Sequence, residues 1–164
     1  MIAKVTFVLG MALALLACGE RPIESSYKSM LEAKQEGAID HGWIPDYLPS
    51  SSRDIHELHR ISNPVGWCSF QFSPSDSEAL RKTLQTLGHR APSYERIESP
   101  GKTWWPALLE GNLNMREVNV DGYELYVINK SEQDAMHRTF DYLFLIDWSK
   151  GAGFFYQTTR GSSQ

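Results

Sequence analysis

The sequence predicts an α+β fold, in which an antiparallel sheet of about six strands carries two or three helices packed on one face. Two apolar patterns support this prediction. The run Tyr142–Trp148 is apolar on both faces, as a central strand should be, and the leucines before Gly88 keep helical spacing. The 164 residues suit one domain, and a hydrophobic content of 41% is enough to form a core.

The first half of this domain is predicted to hold one helix and two strands. The helix runs from about Ser26 to Glu36, because its apolar residues share one face and Gly37 is a plausible stop. The strands are Arg53–Ile61 and Val65–Phe72, separated by a break at Asn63-Pro64. In the second strand the alternation points three side chains toward the core: Cys68, Phe70 and Phe72.

The second half begins with a helix that starts at Ser73–Asp76 and ends at Gly88. The segment His89–Met115 is irregular, and Pro106 opens a short helix through Glu110. Asp121-Gly122 predicts a two-residue hairpin turn within Arg116–Asn129, pairing Val120 with Tyr123 and Val118 with Leu125. A last strand is expected over Phe154–Thr159, after the strand Tyr142–Trp148.

The N-terminus has the pattern of an export signal. Lys4 is the only charge among the first 17 residues, and Val5 to Ala17 carries none. A transmembrane helix needs roughly 20 apolar residues, so this run is too short to span a bilayer. A positive start, a brief apolar run and a small residue at its end are typical of a secretory signal peptide. A buried core helix containing a cysteine is the alternative.

The end of that run, Leu15-Leu16-Ala17-Cys18, resembles the lipobox of bacterial lipoproteins. The resemblance implies cleavage between Ala17 and Cys18, a diacylglyceryl group on the Cys18 sulfur, and a further acyl chain such as palmitate on the new amino terminus. Gly19 in place of aspartate implies sorting to the outer membrane where the host has two membranes. The expected organisation is a signal peptide over 1–17, a lipidated tether over 18–25 and a single domain over 26–164.

After cleavage the formal net charge would be −5, because Lys4 is lost with the leader. The mature chain has no basic run, which argues against nucleic acid as a partner. The expected location is the cell envelope, with the domain facing the periplasm and the membrane contacted through the lipid anchor. Cys68 then has no intrachain partner, so the fold is expected to form without an internal disulfide.

Residues 42–49, Gly-Trp-Ile-Pro-Asp-Tyr-Leu-Pro, contain a G-W-I-P-x-x-L-P motif. Over roughly residues 37–72 the chain is similar to small uncharacterised bacterial lipoproteins and membrane proteins, a likeness that implies no activity. The prolines restrict the backbone, and the large side chains can be buried against the sheet. A packed structural element is the main interpretation, and a ligand-contacting loop is the alternative.

Several residues are candidates for metal binding or catalysis. His56 and His59 would chelate a metal on a helix, but on a strand they point to opposite faces, and His41 would have to join one of them. Cys68 is a candidate nucleophile or intermolecular disulfide partner, but it alternates toward the core, where a thiol is inert, and the inert core thiol is the main interpretation. No motif indicates a serine triad. Carboxylates could pair as acid and base, with two candidate pairs: Asp141 with Asp147 and Glu117 with Glu124.

The sequence therefore predicts no catalytic residue, no metal ligand and no cofactor. Trp104 and Trp105 lie together in a loop, where packing over the sheet with Pro106 is the main interpretation. The alternative is a possible binding surface, formed with Trp43, because exposed tryptophans anchor protein interfaces and stack on sugars. The expected function is a non-catalytic binding or interaction domain, and its concrete version is an immunity-type protein that neutralises a basic toxin in the periplasm. The alternative is an anchored hydrolase that acts on envelope material.

Overall fold

The computed structural model describes residues 21–62, 64–114, 122–130 and 140–159. These residues form a seven-stranded antiparallel sheet, the main sheet, and a separate two-stranded sheet. The main sheet has the order β1-β2-β3-β9-β8-β7-β4. Its strands are β1 (Ile23–Ser29), β2 (Arg53–Arg60), β3 (Val65–Gln71), β4 (His89–Arg90), β7 (Tyr123–Lys130), β8 (Phe140–Asp147) and β9 (Ala152–Thr159).

The remaining elements cover this sheet. The two-stranded sheet pairs β5 (Ser93–Ile97) with β6 (Gly111–Asn114). Helix α1 (Met30–Gln35) has six residues and helix α2 (Ser77–Leu87) has eleven, with short 3-10 turns at Pro74–Asp76 and Ala107–Leu109.

The predicted fold class is therefore wrong. The described part of the chain is mostly β, with seven strands in the main sheet and one helix longer than two turns, instead of about six strands and two or three helices. The physical reason is that the short polar stretches between the apolar runs carry no strand pattern of their own, so the sequence indicates loops or helix there. Backbone pairing with a neighbouring strand makes them strands, whatever their side-chain pattern.

The clearest single error is the helix predicted over Ser26–Glu36. Residues up to Ser29 belong to β1, where Tyr27 lies opposite Ile55 of β2, and only Met30–Gln35 is α-helical. Ser29 is the helix N-cap, and its hydroxyl accepts a hydrogen bond from the Glu32 amide at 3.3 Å. Strand β1 also begins inside the segment predicted as tether.

Apolar side chains cover both faces of the main sheet. On one, here called the helix face, α1, α2 and the segment between α1 and β2 pack over a cluster that includes Cys68, Phe70 and Phe72. On the other, here called the hairpin face, β5, β6 and Trp105 cover a second cluster. The predicted alternation of β3 is confirmed, and both α-helices pack on the helix face, whereas the two-stranded sheet that covers the hairpin face was not predicted.

The two strands predicted near the C-terminus are confirmed. The run predicted as a central strand is β8, which lies between β7 and β9, and the last predicted strand is β9. The segment His89–Met115, predicted to be irregular, instead supplies β4, β5 and β6. The turn at Asp121-Gly122 and its pairings lie mostly outside the described residues; of the residues predicted to pair, Tyr123 and Leu125 are described and lie on β7.

Within the described ranges, no helix has both the length and the apolar character needed to cross a bilayer.

Candidate functional site

Two clefts open side by side on the helix face, near the end of the main sheet at which β1 begins. They lie over one row of paired residues, here called the end row: Ile23, His59, Gly66, Gln157, Tyr142 and Ile128. The first, the histidine cleft, has a volume of about 220 Å³. The second, the tyrosine cleft, has a volume of about 300 Å³, and Gly42 borders both.

The G-W-I-P-x-x-L-P motif forms the wall between these clefts. Ile44 and Leu48 are buried in the helix-face cluster, whereas Trp43 and Tyr47 are half-buried and pack at its edge. Gly42 has a φ of 75°, in the left-handed region that favours glycine. The motif is therefore a packed element, and its two half-buried aromatic rings also contribute to the clefts.

A stack of three rings forms one side of the histidine cleft. The Trp43 indole lies between His41 and His59, with ring centroids 4.7 Å and 4.0 Å away, and His41 Nδ1 is 2.7 Å from the Gly37 carbonyl oxygen. Because the indole separates the two imidazoles, these histidines cannot hold one metal ion between them. The described residues contain no group of three or more His, Cys, Asp or Glu placed to bind a metal.

A buried carboxyl lies behind this stack. Glu57 is 1% exposed, and its Oε1 is 2.6 Å from Nδ1 of His59, which is 5% exposed. Glu57 Oε2 has no hydrogen-bond partner. Burial raises the pKa of Glu57 to about 8, because the charged form loses its hydration. Glu57 therefore holds its proton at neutral pH, next to a surface cleft.

Glu57→Gln should alter how stability depends on pH. A carboxyl whose pKa rises from 4.5 to about 8 on folding binds more protons in the folded state, so its contribution to stability falls as pH rises through that window. An amide cannot lose a proton in that way. We expect the midpoint of thermal unfolding to fall less between pH 5 and pH 9 in the variant than in the wild type.

Thermal unfolding of both proteins across pH, followed by circular dichroism, checks this. If the unfolding midpoints of the two proteins fell by the same amount between pH 5 and pH 9, the buried, protonated state of Glu57 would be contradicted. His56→Gln is the control, since His56 lies on the same strand but on the hairpin face, and it should leave the wild-type difference between pH 5 and pH 9 largely in place.

The tyrosine cleft combines aromatic rings with carboxylates. Tyr142 stacks on Phe155 with ring centroids 5.6 Å apart, and Tyr47 is tilted against Phe144 at 5.7 Å, so both rings are held by the core. Asp40 and Asp46 are exposed and line the same cleft. Burial raises the pKa of Tyr47 above its ordinary value of 10.0, so its hydroxyl stays neutral. Anionic groups beside aromatic faces are suited to a Lys or Arg side chain.

His56 lies on the opposite face from His59, as the strand prediction required, so these two cannot chelate a common ion. Ser26 Oγ is 2.9 Å from His56 Nδ1, and the imidazole stacks on Trp104 at 5.9 Å. The nearby carboxylate of Glu24 accepts hydrogen bonds from Lys102 and Trp104. The carboxylate near this serine and histidine therefore accepts its hydrogen bonds from Lys102 and Trp104.

The three tryptophans predicted as a binding surface do not form one surface. Trp105 is buried in the hairpin-face cluster and packs edge-on against Phe154 at 5.6 Å. Trp104 is half-buried on that side, whereas Trp43 is half-buried on the helix face. Trp104 and Trp105 pack edge to face, with ring centroids 6.3 Å apart, but Trp43 lies on the opposite face of the sheet, and Trp105 is too buried to contact a partner.

Cys68 is fully buried in the helix-face cluster. Burial and the neighbouring Glu57 raise the pKa of its thiol, so a reactive thiolate does not form there. This agrees with the inert core thiol that the alternation of β3 predicted.

The described carboxylates of the two candidate acid–base pairs make other interactions. Asp141 and Asp147 are six residues apart on β8, about 20 Å at the rise of a strand, far beyond the separation of a glycosidase pair. Asp147 instead accepts hydrogen bonds from the backbone and hydroxyl of Ser149, and it pairs with Lys150 at 2.9 Å. Glu124 accepts a hydrogen bond from Tyr126 at 2.7 Å, and Glu117 lies outside the described residues.

Sequence reasoning did not identify Glu57 or the tyrosine cleft. A signal for Glu57 exists: in the strand Arg53–Arg60, alternation places Glu57 on the same face as Ile55, which is apolar and core-facing. The tyrosine cleft has no such signal, because Tyr142 is about a hundred residues from Asp40 and Asp46 and only the fold brings them together.

Fold and site together define a mostly β domain, with an antiparallel sheet covered on both faces and two adjoining surface clefts on one of them. Residues 22–71 match the family model of the YbbD head domain. The matched segment runs from the residue before β1 to the end of β3 and includes the motif between the clefts; it suggests a bacterial protein of the envelope type. No curated protein and no solved structure matches the chain.

Proposed function

We propose that this chain is a cell-envelope lipoprotein, anchored by acyl chains on Cys18, whose domain faces the periplasm and binds a partner without catalysis. The leader supports the anchor, because its apolar run is short and ends in the lipobox-like Leu15-Leu16-Ala17-Cys18. The head-domain match is in keeping with an envelope location. The outer membrane is the favoured site where the host has two membranes.

One observation carries the binding role: the tyrosine cleft has aromatic walls fixed by the core and carboxylates at its rim. Tyr47 and Tyr142 rest on Phe144 and Phe155, so the cleft keeps its shape without a ligand. Preformed sites lose less conformational entropy when they bind. The exposed Asp40 and Asp46 add negative charge where a basic side chain would enter.

The partner that fits this cleft is a protein with an exposed lysine or arginine. The formal charge of −5 on the mature chain would attract a basic surface over a distance, and the cleft would hold one cationic side chain. An immunity-type role, in which the domain neutralises a basic toxin in the periplasm, is the concrete version of this proposal.

The double variant Asp40→Asn/Asp46→Asn tests it. Detergent-purified full-length protein should capture a basic protein from envelope extracts at low salt. Capture should fall at least about tenfold in the variant, since loss of two close charge contacts of about 1 kcal/mol each is enough for that change. Capture by both proteins should weaken as salt is added.

The matched control is Glu36→Gln/Glu78→Gln, which removes the same charge from exposed positions on the domain outside the cleft. This control should bind like the wild type. If capture fell equally in both double variants, the overall charge of the domain would explain the result and not the cleft. Unchanged capture in the Asp40→Asn/Asp46→Asn protein would exclude the tyrosine cleft as the contact.

A hydrolase is the second candidate, favoured by Glu57. A carboxyl that stays protonated at neutral pH beside a cleft is a common feature of general acids. Both Glu57 and His59 are buried, however, so a substrate would reach them only after Trp43 moved away. Turnover of an envelope substrate by the wild type that disappears in Glu57→Gln would support this candidate over the binding role.

A further inference from the structure

The end of the main sheet that carries the end row is held close to the proposed lipid anchor. Strand β1 begins at Ile23, five residues after Cys18. An extended chain spans at most about 3.5 Å per residue, so Ile23 stays within about 17 Å of the lipidated residue. The opposite end of β1 is about 20 Å further along the strand. The tether length therefore restricts which part of the domain can meet the bilayer.

Two large aliphatic side chains are exposed at this end. Ile23 is 41% exposed and lies opposite His59, and Ile61, two residues beyond His59, is 62% exposed. The other large hydrophobic side chains that are exposed in the described part lie elsewhere, on α1, α2 and the 3-10 turn before β6: Leu31, Leu87 and Leu108. Ile61 lines the histidine cleft together with His59, the residue that pairs with Ile23, so both isoleucines lie at this end of the sheet near the same cleft.

The histidine cleft has a composition suited to a membrane surface. Trp43 and His41 lie at its rim, and no described residue that lines it is acidic. Tryptophan is enriched where a protein meets the interface of a bilayer, because its ring is apolar and its N–H is polar. The nearby carboxylate of Glu24 belongs to the hairpin face and is paired with Lys102 at 2.6 Å.

We propose that Ile23, Ile61 and the rim of the histidine cleft rest on the lipid surface that holds the acyl chains. This inference depends on the lipid anchor proposed above. The anchor brings every molecule to a bilayer, and the short tether presents this end of the sheet to it. The two isoleucine side chains enter the boundary between headgroups and acyl chains, and the histidine cleft opens toward the headgroups.

The test compares two positions of similar exposure. Ile61→Cys and Leu31→Cys, each carrying one environment-sensitive fluorophore, are placed in the acylated full-length protein. Cys68 is buried and Cys18 is consumed by the lipid, so the new thiol is the reactive one. Leu31 is 66% exposed and follows the far end of β1, which makes it the matched control. Both proteins are reconstituted into phosphatidylcholine vesicles that contain lipids with a nitroxide near the headgroup.

We expect quenching at least about threefold greater at position 61 than at position 31, because an interfacial side chain enters about 5–10 Å into the headgroup boundary. Adding Ile23→Ser to the Ile61→Cys protein should reduce the quenching. Equal quenching at both positions in protein whose acyl mass is verified would overturn the orientation and leave the anchor standing. Protein that lacks the acyl mass would contradict both proposals.

Discussion

Gly88→Ala should destabilise the domain by more than about 3 kcal/mol, at the upper end of the cost of overpacking a core. Gly88 ends α2, where the chain passes directly over β7. A Cβ atom built there would lie 2.3 Å from the backbone oxygen of Val127 and 2.7 Å from Cγ1 of Ile128. The backbone of β7 is fixed by pairing with β8, and Gly88 directly precedes β4, which pairs with β7 on its other side, so the close contact can be relieved only by moving the end of α2 and the start of β4 away from β7.

Such a loss corresponds to a fall in the unfolding midpoint of about 10 °C for a domain of this size. Calorimetry or circular dichroism of the purified protein measures it. Gly66→Ala is the matched control, because a Cβ there would meet its nearest neighbours at 3.7 Å or more, which is ordinary contact. If both variants unfold within a few degrees of the wild type, α2 does not approach β7 as closely as the structure shows.

Cys18→Ser should abolish attachment of fatty acid to the protein. If the resemblance of Leu15-Leu16-Ala17-Cys18 to a lipobox reflects function, the sulfur of Cys18 is the atom that receives the diacylglyceryl group, and a hydroxyl cannot replace it. Three acyl chains, at roughly 0.8 kcal/mol per buried CH2, would make the proposed anchor durable. The variant should therefore accumulate with its leader uncleaved or leave the acylated membrane fraction.

Metabolic labelling with a fatty acid that carries an alkyne, followed by gel fluorescence, measures this directly. Cys68→Ser is the control, since Cys68 is buried in the core and should not affect labelling. Label that persists in Cys18→Ser, or that disappears only in Cys68→Ser, would place the acyl chains elsewhere.

The sequence predicted the central strands because their signals are local. The run Tyr142–Trp148 is apolar on both faces, which is enough to indicate a strand buried on both sides, and β3 showed its alternation clearly. Helix α2 was similarly predictable from its leucine spacing and its stop at Gly88, but the predicted start at Ser73–Asp76 contains a 3-10 turn, and the α-helix begins at Ser77. These elements form the middle of the sheet and one of its covering layers.

The edges of the fold could not be predicted in the same way. Tyr27, Met30 and Leu31 fit a helical face, but residues before Met30 gain backbone hydrogen bonds by pairing with β2, which is more than twenty residues away along the chain. The short strands β4, β5 and β6 likewise depend on their partners, because two to five residues carry too little pattern to indicate a strand.

The candidate site was also predictable only in part. Burial of the motif against the sheet followed from its prolines and large side chains, and the separation of His56 from His59 followed from strand geometry. The stack of His41, Trp43 and His59 did not follow, because it joins a loop to a strand.

The proposed lipid anchor and the orientation of the domain both depend on how the mature chain begins. Intact-mass analysis of full-length protein, purified in detergent from a bacterial host that processes lipoproteins, gives the direct answer. We predict a chain that starts at Cys18 and carries a diacylglyceryl group with a further acyl chain. A protein that retains Met1, or one with an unmodified thiol at position 18, would contradict the anchor and the membrane-facing orientation that depends on it.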